Sequence, residues 1–552
     1  MTSVGAAVLE RPDASRSASA SASPCEAGGP VWISDPAAAH FAGEGLLSIA
    51  HAIREPAFVL RAPNGAIGLA LGGEMASAGP GLSLLGIVPA FYPEWLGDRS
   101  FNERYGTRFA YVVGEMAHGI ASPAMAIAAG RAGMLGFIGT AGLSPARIEA
   151  MVREVQAALS PLGRAFGANL IHTPGEPALE HAIADIFCRL NVPAVSASAF
   201  MSLTPAIVRL SASGMRRDAE GRVVRARAIF AKISRPETAK LFMSPPPAAM
   251  LRALVAEGHL TPEEAELAAE LPLAEDITVE GDSGGHTDNR PLAVALARVA
   301  QLRDSLAPKT RIRIGAAGGL GTPQAVASAF ALGADYVLTG SVNQSSVESG
   351  LSAQARAMLQ HIDMADVAMA ASADMFELGV KVQVLKRGTM FAGRANRLFD
   401  LYTRYDSLSA LPPETQRQLE QDFFRAPLEK IWEETCSFFA ERNPAEITRA
   451  EKDLKHQMAL VFRWYLGNSI RWAMTGEESR KIDFQIWCGP AMGAFNAWSQ
   501  GSHFDTPEAR TVEQIGKNLL EGAATLLRAQ AFRSMGVGLP PTAFQFTPRR
   551  LQ

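Results

Sequence analysis

The sequence predicts a (β/α)₈ barrel, preceded by a small β-containing region and followed by a mainly helical one. Two observations carry the barrel. First, between residues 105 and 347 eight short apolar runs alternate with helical patterns: RFAYVV, MLGFIG, FGANLI, PAVSAS, RAIFAKI, DITVE, RIRIGAA and ADYVLTG. Alternating strands and helices imply a parallel sheet, and eight repeats favour a closed barrel over an open doubly wound sheet. Second, the segments between the runs carry helix-start signals. Ser144-Pro145 is an N-cap with proline at the first helical position, and Ile148, Met151, Val152, Val155 and Leu159 follow at helical spacing. Thr261 and Glu264 form a capping box, and Thr322-Pro323 opens another helix.

The flanking regions read differently. Residues 1–30 are rich in Ala, Ser, Gly and Pro and lack a basic start followed by an apolar run, so a disordered tail is expected rather than a signal peptide. Residues 31–104 form an accessory domain, in which Asn64-Gly65 between apolar runs signals a β-hairpin. After Val347 the strand rhythm stops. Residues 348–552 read as a helical lid or docking subdomain, with one helix expected to return to the barrel. One predicted helix runs from the Asn443 cap through Leu466. Another starts at Thr506-Pro507 and places Val512, Ile515 and Leu519 on one face.

Composition narrows the function classes. At 552 residues and 48% hydrophobic content the chain has ample core for two to four domains. Its formal charge of -3 is not that of a nucleic-acid binder. No segment is long enough to span a membrane. Cys25, Cys188, Cys436 and Cys488 are widely spaced, with no Cys/His cluster. No metal site is expected, and a reducing cytoplasm is.

The chemistry concentrates at the ends of the apolar runs. In IRIGAAGGLGTP, Gly315, Gly318, Gly319 and Gly321 lead into a helix, and the next run ends in Thr339-Gly340-Ser341. Glycines let backbone N–H groups approach an anion, and barrels often bind phosphate after strands seven and eight. Gly114, Met116, Ala117 and Gly119 make a small apolar strand end against which a flat ring can lie; a tight turn is the plain alternative. Asn169 offers an amide to a polar ring edge, or simply forms a turn. Lys232 ends the fifth run, where a lysine is costly unless paired or reaching solvent; at a barrel mouth it can stabilise negative charge. In ITVEGDSGGH, Glu280 and Asp282 flank the sixth strand end, and Gly284 and Gly285 bring His286 towards the mouth as a proton donor, or as a structural residue.

Taken together, GEMAHGIAS, FGANLI, EGDSGGH and AAGGLGTP resemble the flavin-dependent nitronate monooxygenase (2-nitropropane dioxygenase) superfamily, which includes flavin enoyl-acyl-carrier-protein reductases. From about residue 40 onward the chain is most similar to its PfaD family, of polyunsaturated fatty acid and polyketide biosynthesis. The stretch from Glu377 to Leu408 and WCGPAMGAFNAWSQGS at 487–502 carry that narrower likeness. The resemblance implies a trans-acting enoyl reductase that takes electrons from NADPH through FMN to an α,β-unsaturated thioester on an acyl carrier protein. It implies that Gly318, Gly319, Gly340 and Ser341 contact the FMN phosphate, that Asn169 and Lys232 contact the ring, and that His286 is the histidine of the superfamily's GGH motif. EGDSGGH is one residue shorter than in the simpler reductases, which leaves the posture of His286 open.

Two other readings remain on the sequence: nitronate oxidation, and a non-catalytic component of a synthase complex. Lys381, Lys386, Arg387, Arg394 and Arg397 form a basic segment suited to an acidic carrier protein, or a solvated surface. Met375, Phe376, Met390 and Phe391 read as core or lid packing, and Cys488 as a packed thiol. A homodimer is compatible with all of this.

Overall fold

A computed structural model describes residues 29–285, 287–306 and 310–552. They divide into two compact units. One takes the residues up to Ala90 together with Ala531–Pro540, and the other takes Phe91–Gln530 with Pro541–Gln552.

The first unit is built on a six-stranded antiparallel sheet packed around Trp32, Leu60, Ala70 and Leu84. Asn64-Gly65 forms the turn between strands Ala57–Arg61 and Ile67–Leu71. Gly65 adopts φ +86°, and the Asn64 side chain accepts from the Ala66 N–H at 3.1 Å, the local bonding that favours Asn-Gly in hairpins.

The second unit contains a closed parallel barrel of eight strands: β1 (Tyr111–Val113), β2 (Leu135–Ile138), β3 (Gly167–Ile171), β4 (Ala194–Ser198), β5 (Ala228–Ile233), β6 (Asp276–Glu280), β7 (Arg313–Ala317) and β8 (Tyr336–Thr339). Each lies within one of the eight apolar runs. The caps form as the sequence predicts: Ser144, Thr261 and Thr322 each accept from a backbone N–H of the first turn, and Thr261 with Glu264 completes a reciprocal capping box.

The barrel is plugged at its N-terminal end. Phe101 and Tyr105, from the helix Arg99–Tyr105, pack against Phe230, Phe137 and Tyr336 inside the barrel. Asp276 and Arg313, the first residues of β6 and β7, form a buried bidentate pair at 2.6 and 2.7 Å, and the Tyr105 hydroxyl donates to the same carboxylate. The expected domain boundary at 104 therefore cuts through a helix that belongs to the barrel core. With that end filled by aromatic rings, ligand access is from the C-terminal ends of the strands.

The region after β8 departs from the helical expectation at one place. Val367–Ala371 (β9) and Lys381–Leu385 (β10) form an antiparallel hairpin, alongside which Ile486 accepts from Leu385 N–H and Trp487 bridges Val384. The predicted helix from Asn443 is two helices, Pro444–Lys452 and Leu454–Thr475, because Asp453 leaves helical geometry and caps the second one through Lys455 and His456 N–H. The Thr506-Pro507 signal starts only a short turn; the long helix begins at Val512. Val512, Ile515 and Leu519 are fully buried, and Gly516 lies so close to the barrel that a Cβ there would stand 2.6 Å from Met134 and 3.2 Å from Tyr111.

Candidate active site

Three ionisable side chains meet at the open end of the barrel. Lys232, near the end of β5, places its Nζ 3.1 Å from Glu115 Oε1 and 3.8 Å from Glu280 Oε2. Glu115 lies just beyond β1, and Glu280 closes β6. Inward-facing Ser196 and Ser198 of β4 donate to Glu115 Oε1 at 2.8 and 2.9 Å, and Ser283 donates to Glu280 Oε1 at 2.9 Å. Burial alone would raise the Glu115 carboxyl, but the Lys232 charge and the Ser196 hydroxyl outweigh it and hold the group below the usual carboxylate range. Burial likewise opposes the Lys232 ammonium, and the two glutamates overcome it, so this lysine stays charged well above the ordinary lysine range. Of the alternatives for Lys232, the structure selects the paired one.

Asn169 is buried on β3. Its Oδ1 accepts from Thr140 N–H at 2.7 Å and from Thr140 Oγ1 at 3.0 Å, which ties β3 to the loop after β2 and fixes the orientation of the amide. Its Nδ2 has no hydrogen-bond partner among the described residues.

The glycines divide by what occupies the space beside them. At Gly319 and Gly340 a Cβ would meet nothing within 4 Å, so the backbone of both turns is open. Gly319 adopts φ +74°, a conformation that only glycine takes without strain. Gly315 and Gly321 serve packing instead: a Cβ would stand 2.2 Å from the Tyr336 ring and 2.0 Å from Ala491 O, respectively. Gly318 fits against Gly281 and Asp282, which sets the turn after β7 against the loop after β6. Ser341 Oγ accepts from Gly489 N–H at 3.2 Å and keeps its own O–H free to donate.

At the end of β1, the space beside Gly114 is filled by Leu338 of β8. Met116 and Ala117 are half-buried at the mouth, and the turn continues through His118, with φ +57° and its ring stacked on Trp487 at a centroid distance of 5.9 Å. Burial depresses the His118 pKa. In the β6 loop, Gly285 N–H donates to Ser283 Oγ, and Gly284 stands against Cys488, with 3.0 Å between a Cβ and Cys488 N. The sequence reading of His286 falls outside the described residues.

The sequence reading missed Glu115 and the serine pair that holds it. It also missed that residues 487–491 pack on the glycine turns after β7 and β8. Cys488 N–H donates to Gln383 O of β10 at 3.3 Å, and Gln383 Nε2 donates to Asp282. These contacts seat the WCGPAMG segment against the loops after β6, β7 and β8. Cys488 is fully buried and burial pushes its thiol up to about 12, as befits a packed residue rather than a nucleophile.

The basic segment loses one member. Arg394 pairs with the fully buried Asp483 beneath the surface, whereas Lys381, Lys386, Arg387 and Arg397 are exposed. Arg387 shares Asp366 at 3.4 Å. Phe376 and Phe391 are core residues, while Met390 is 52% exposed and lines a groove of about 420 Å³ with Thr389, Gly393 and Phe423. Among the described residues no His/Cys/Asp/Glu group is placed to hold a metal, and no helix is long and apolar enough to cross a membrane.

Comparison with known proteins decides the family. Residues 105–389 match the model for nitronate monooxygenase. The chain belongs to the nitronate monooxygenase family. With it comes a flavin-dependent oxidoreductase chemistry. Residues 405–484 match a second model, the inserted helical domain of [acyl-carrier-protein] S-malonyltransferase. The crystal structure of the enoyl reductase domain of MlnA, from the macrolactin biosynthesis cluster of Bacillus amyloliquefaciens, is 38% identical with a TM-score of 0.75, covering 80% of this chain and 99% of that one. One subunit of the polyunsaturated fatty acid synthase of Thraustochytrium sp. is 45% identical over 450 residues, 80% of this chain and 30% of the relative. Polyketide biosynthesis protein PksE of Bacillus subtilis is 44% identical over 438 residues, 79% of this chain and 57% of the relative. The chain thus spans only part of these curated relatives.

Proposed function

We propose that this member of the family is an FMN-dependent enoyl reductase that uses NADPH to reduce α,β-unsaturated acyl thioesters on an acyl carrier protein, in polyketide or polyunsaturated fatty acid synthesis. The observation that carries the reading is the mouth itself: two open glycine turns after β7 and β8, and Lys232 held between Glu115 and Glu280. Those features fit a flavin mononucleotide. Gly318, Gly319 and Gly340 N–H groups and the Ser341 hydroxyl hold the phosphate, while Asn169 and Lys232 meet the polar end of the ring. When bound, the flavin supplies hydride transfer from the nicotinamide to the β carbon of the enoyl thioester. Lys232 offsets negative charge at the reduced ring. Residues 487–491, packed on the phosphate turns, exclude water from that end of the site. His286 delivers the proton to the α carbon, a role that rests on the family's GGH motif. The likeness to the MlnA enoyl reductase domain and to synthase components supports this substrate class over a small nitronate.

Two measurements test the reading. Flavin released from the purified chain by heat should be FMN, close to one per chain; a chain that neither carries nor takes up FMN contradicts the proposal and favours a structural component. His286→Ala should keep FMN but slow single-turnover enoyl reduction by about 100-fold, the scale of general acid catalysis. An unchanged rate removes His286 from the mechanism.

A further inference from the structure

Glu115 is the ionisable group at the mouth with an unfinished hydrogen-bond account. Its Oε1 is crowded: Ser196, Ser198 and Lys232 all converge on it. Its Oε2 is buried and has no hydrogen-bond partner among the described residues. A buried carboxylate oxygen without a donor is costly, and the Lys232 pairing keeps this carboxylate charged, so neutralisation does not relieve the cost.

The neighbouring groups are open in the opposite sense. Asn169 has committed its oxygen to Thr140 and holds out its N–H₂ end. Lys232 has three donors, and its ion pairs are with Glu115 and Glu280. All three residues border the same stretch of wall. Asn169 pairs in register with Ser196, whose hydroxyl holds Glu115, and Lys232 follows Ala231, the register partner of Ala197. The mouth therefore presents one buried acceptor together with two donors.

We infer that Glu115 Oε2 accepts a hydrogen bond from N3–H of the flavin ring, with Asn169 and Lys232 donating to the carbonyl oxygens on either side. This rests on the flavin reading proposed above and adds Glu115 to it. The pyrimidine edge of oxidised isoalloxazine offers acceptor, donor, acceptor, and N3–H is that ring system's one donor. A fixed anion at the mouth finds its complement there and at no other ring atom. Glu115 is then a specificity residue for a flavin unsubstituted at N3. Lys232 balances the charge that Glu115 brings to the ring.

The test is a binding titration on flavin-free protein, followed by fluorescence quenching, with FMN and with 3-methyl-FMN. Wild type should bind the methylated ring at least about 10-fold more weakly, since the methyl group removes the donor and leaves the carboxylate unsatisfied. Glu115→Ala removes the acceptor and makes room for the methyl group, so it should bind the two flavins within about threefold of each other. Should that variant not fold, Glu115→Gln keeps the volume. Its amide oxygen stays on Lys232 and its N–H₂ faces N3–H, so FMN should bind about 10-fold more weakly at an unchanged unfolding temperature. Equal binding of both flavins by wild type overturns the inference. So does a folded Glu115 variant with the full wild-type preference. Absence of any FMN binding by wild type is a different result, and it overturns the flavin reading as well.

Discussion

Lys232 Nζ lies 3.1 Å from Glu115 Oε1, joining the end of β1 to β5 across the barrel mouth. Among the described residues Lys232 is the ion-pair partner of Glu115, whereas Lys232 also has Glu280 at 3.8 Å. Lys232→Met leaves Glu115 buried without its counter-charge and should destabilise the protein by about 3 kcal/mol or more, read by denaturant unfolding. A loss below about 0.5 kcal/mol would mean that water reaches the pair and screens it.

The same pair sets an acid dependence. The Glu115 carboxyl in the folded protein is held below its ordinary value of 4.5. Its contribution is complete above that value and is lost as pH falls through the depressed folded value. Lys232→Met reverses the sign: burial then raises the carboxyl above its ordinary value, and the penalty of burying the charge is relieved as pH falls through the raised folded value. Unfolding free energies of wild type and variant between neutral and acid pH should therefore converge as pH drops; parallel curves contradict the assignment.

Gly340 and Gly319 test the phosphate cradle separately from backbone strain. Gly340 has negative φ and open space around it, so Gly340→Asp should change stability by no more than about 0.5 kcal/mol while weakening FMN binding through charge repulsion. Gly319→Asp adds the cost of a side chain at φ +74°, about 1 kcal/mol, to the same loss of affinity. Calorimetric unfolding of flavin-free protein and FMN titration measure the two effects independently.

At the plugged end, Asp276→Ala strands Arg313 in the barrel interior and should cost about 3–5 kcal/mol. Replacing both residues together with apolar ones of similar volume should recover much of that loss, a comparison made by a double-mutant cycle.

For the carrier protein, the exposed cations are the relevant ones. Charge reversal at Lys386 and Arg387 should raise KM for a carrier-bound enoyl thioester several-fold more than for a small thioester mimic. Arg394→Glu should instead destabilise the fold, because Arg394 neutralises the buried Asp483. Equal KM effects on both substrates at Lys386 and Arg387 argue against docking on that face.

The barrel strands are legible in the sequence because they are short apolar runs, most of them followed by a proline or cap signal that opens the next helix. The β9–β10 hairpin is harder to see, though Val380, Val382 and Val384 alternate with Lys381 and Gln383 in the period of a half-buried strand. Glu115 escaped notice among small residues, yet it carried the signal that drew attention to Lys232: an ionisable group at a buried strand end. The contacts of Gly489 with Ser341 and of Gln383 with Asp282 join residues 148 and 101 positions apart, and local patterning holds no trace of them. Asp453 shows the opposite case, in which a local cap breaks a run that periodicity reads as continuous.

The most direct test of enoyl reduction is an anaerobic single turnover. The purified protein is reduced with one equivalent of NADPH, freed of excess nucleotide, and mixed with an enoyl thioester on an acyl carrier protein. The account predicts rapid reoxidation of the flavin with one saturated thioester formed per flavin. A flavin that stays reduced with the enoyl thioester, yet is reduced by a nitronate and reoxidised by oxygen, would contradict it and assign this chain to nitronate chemistry.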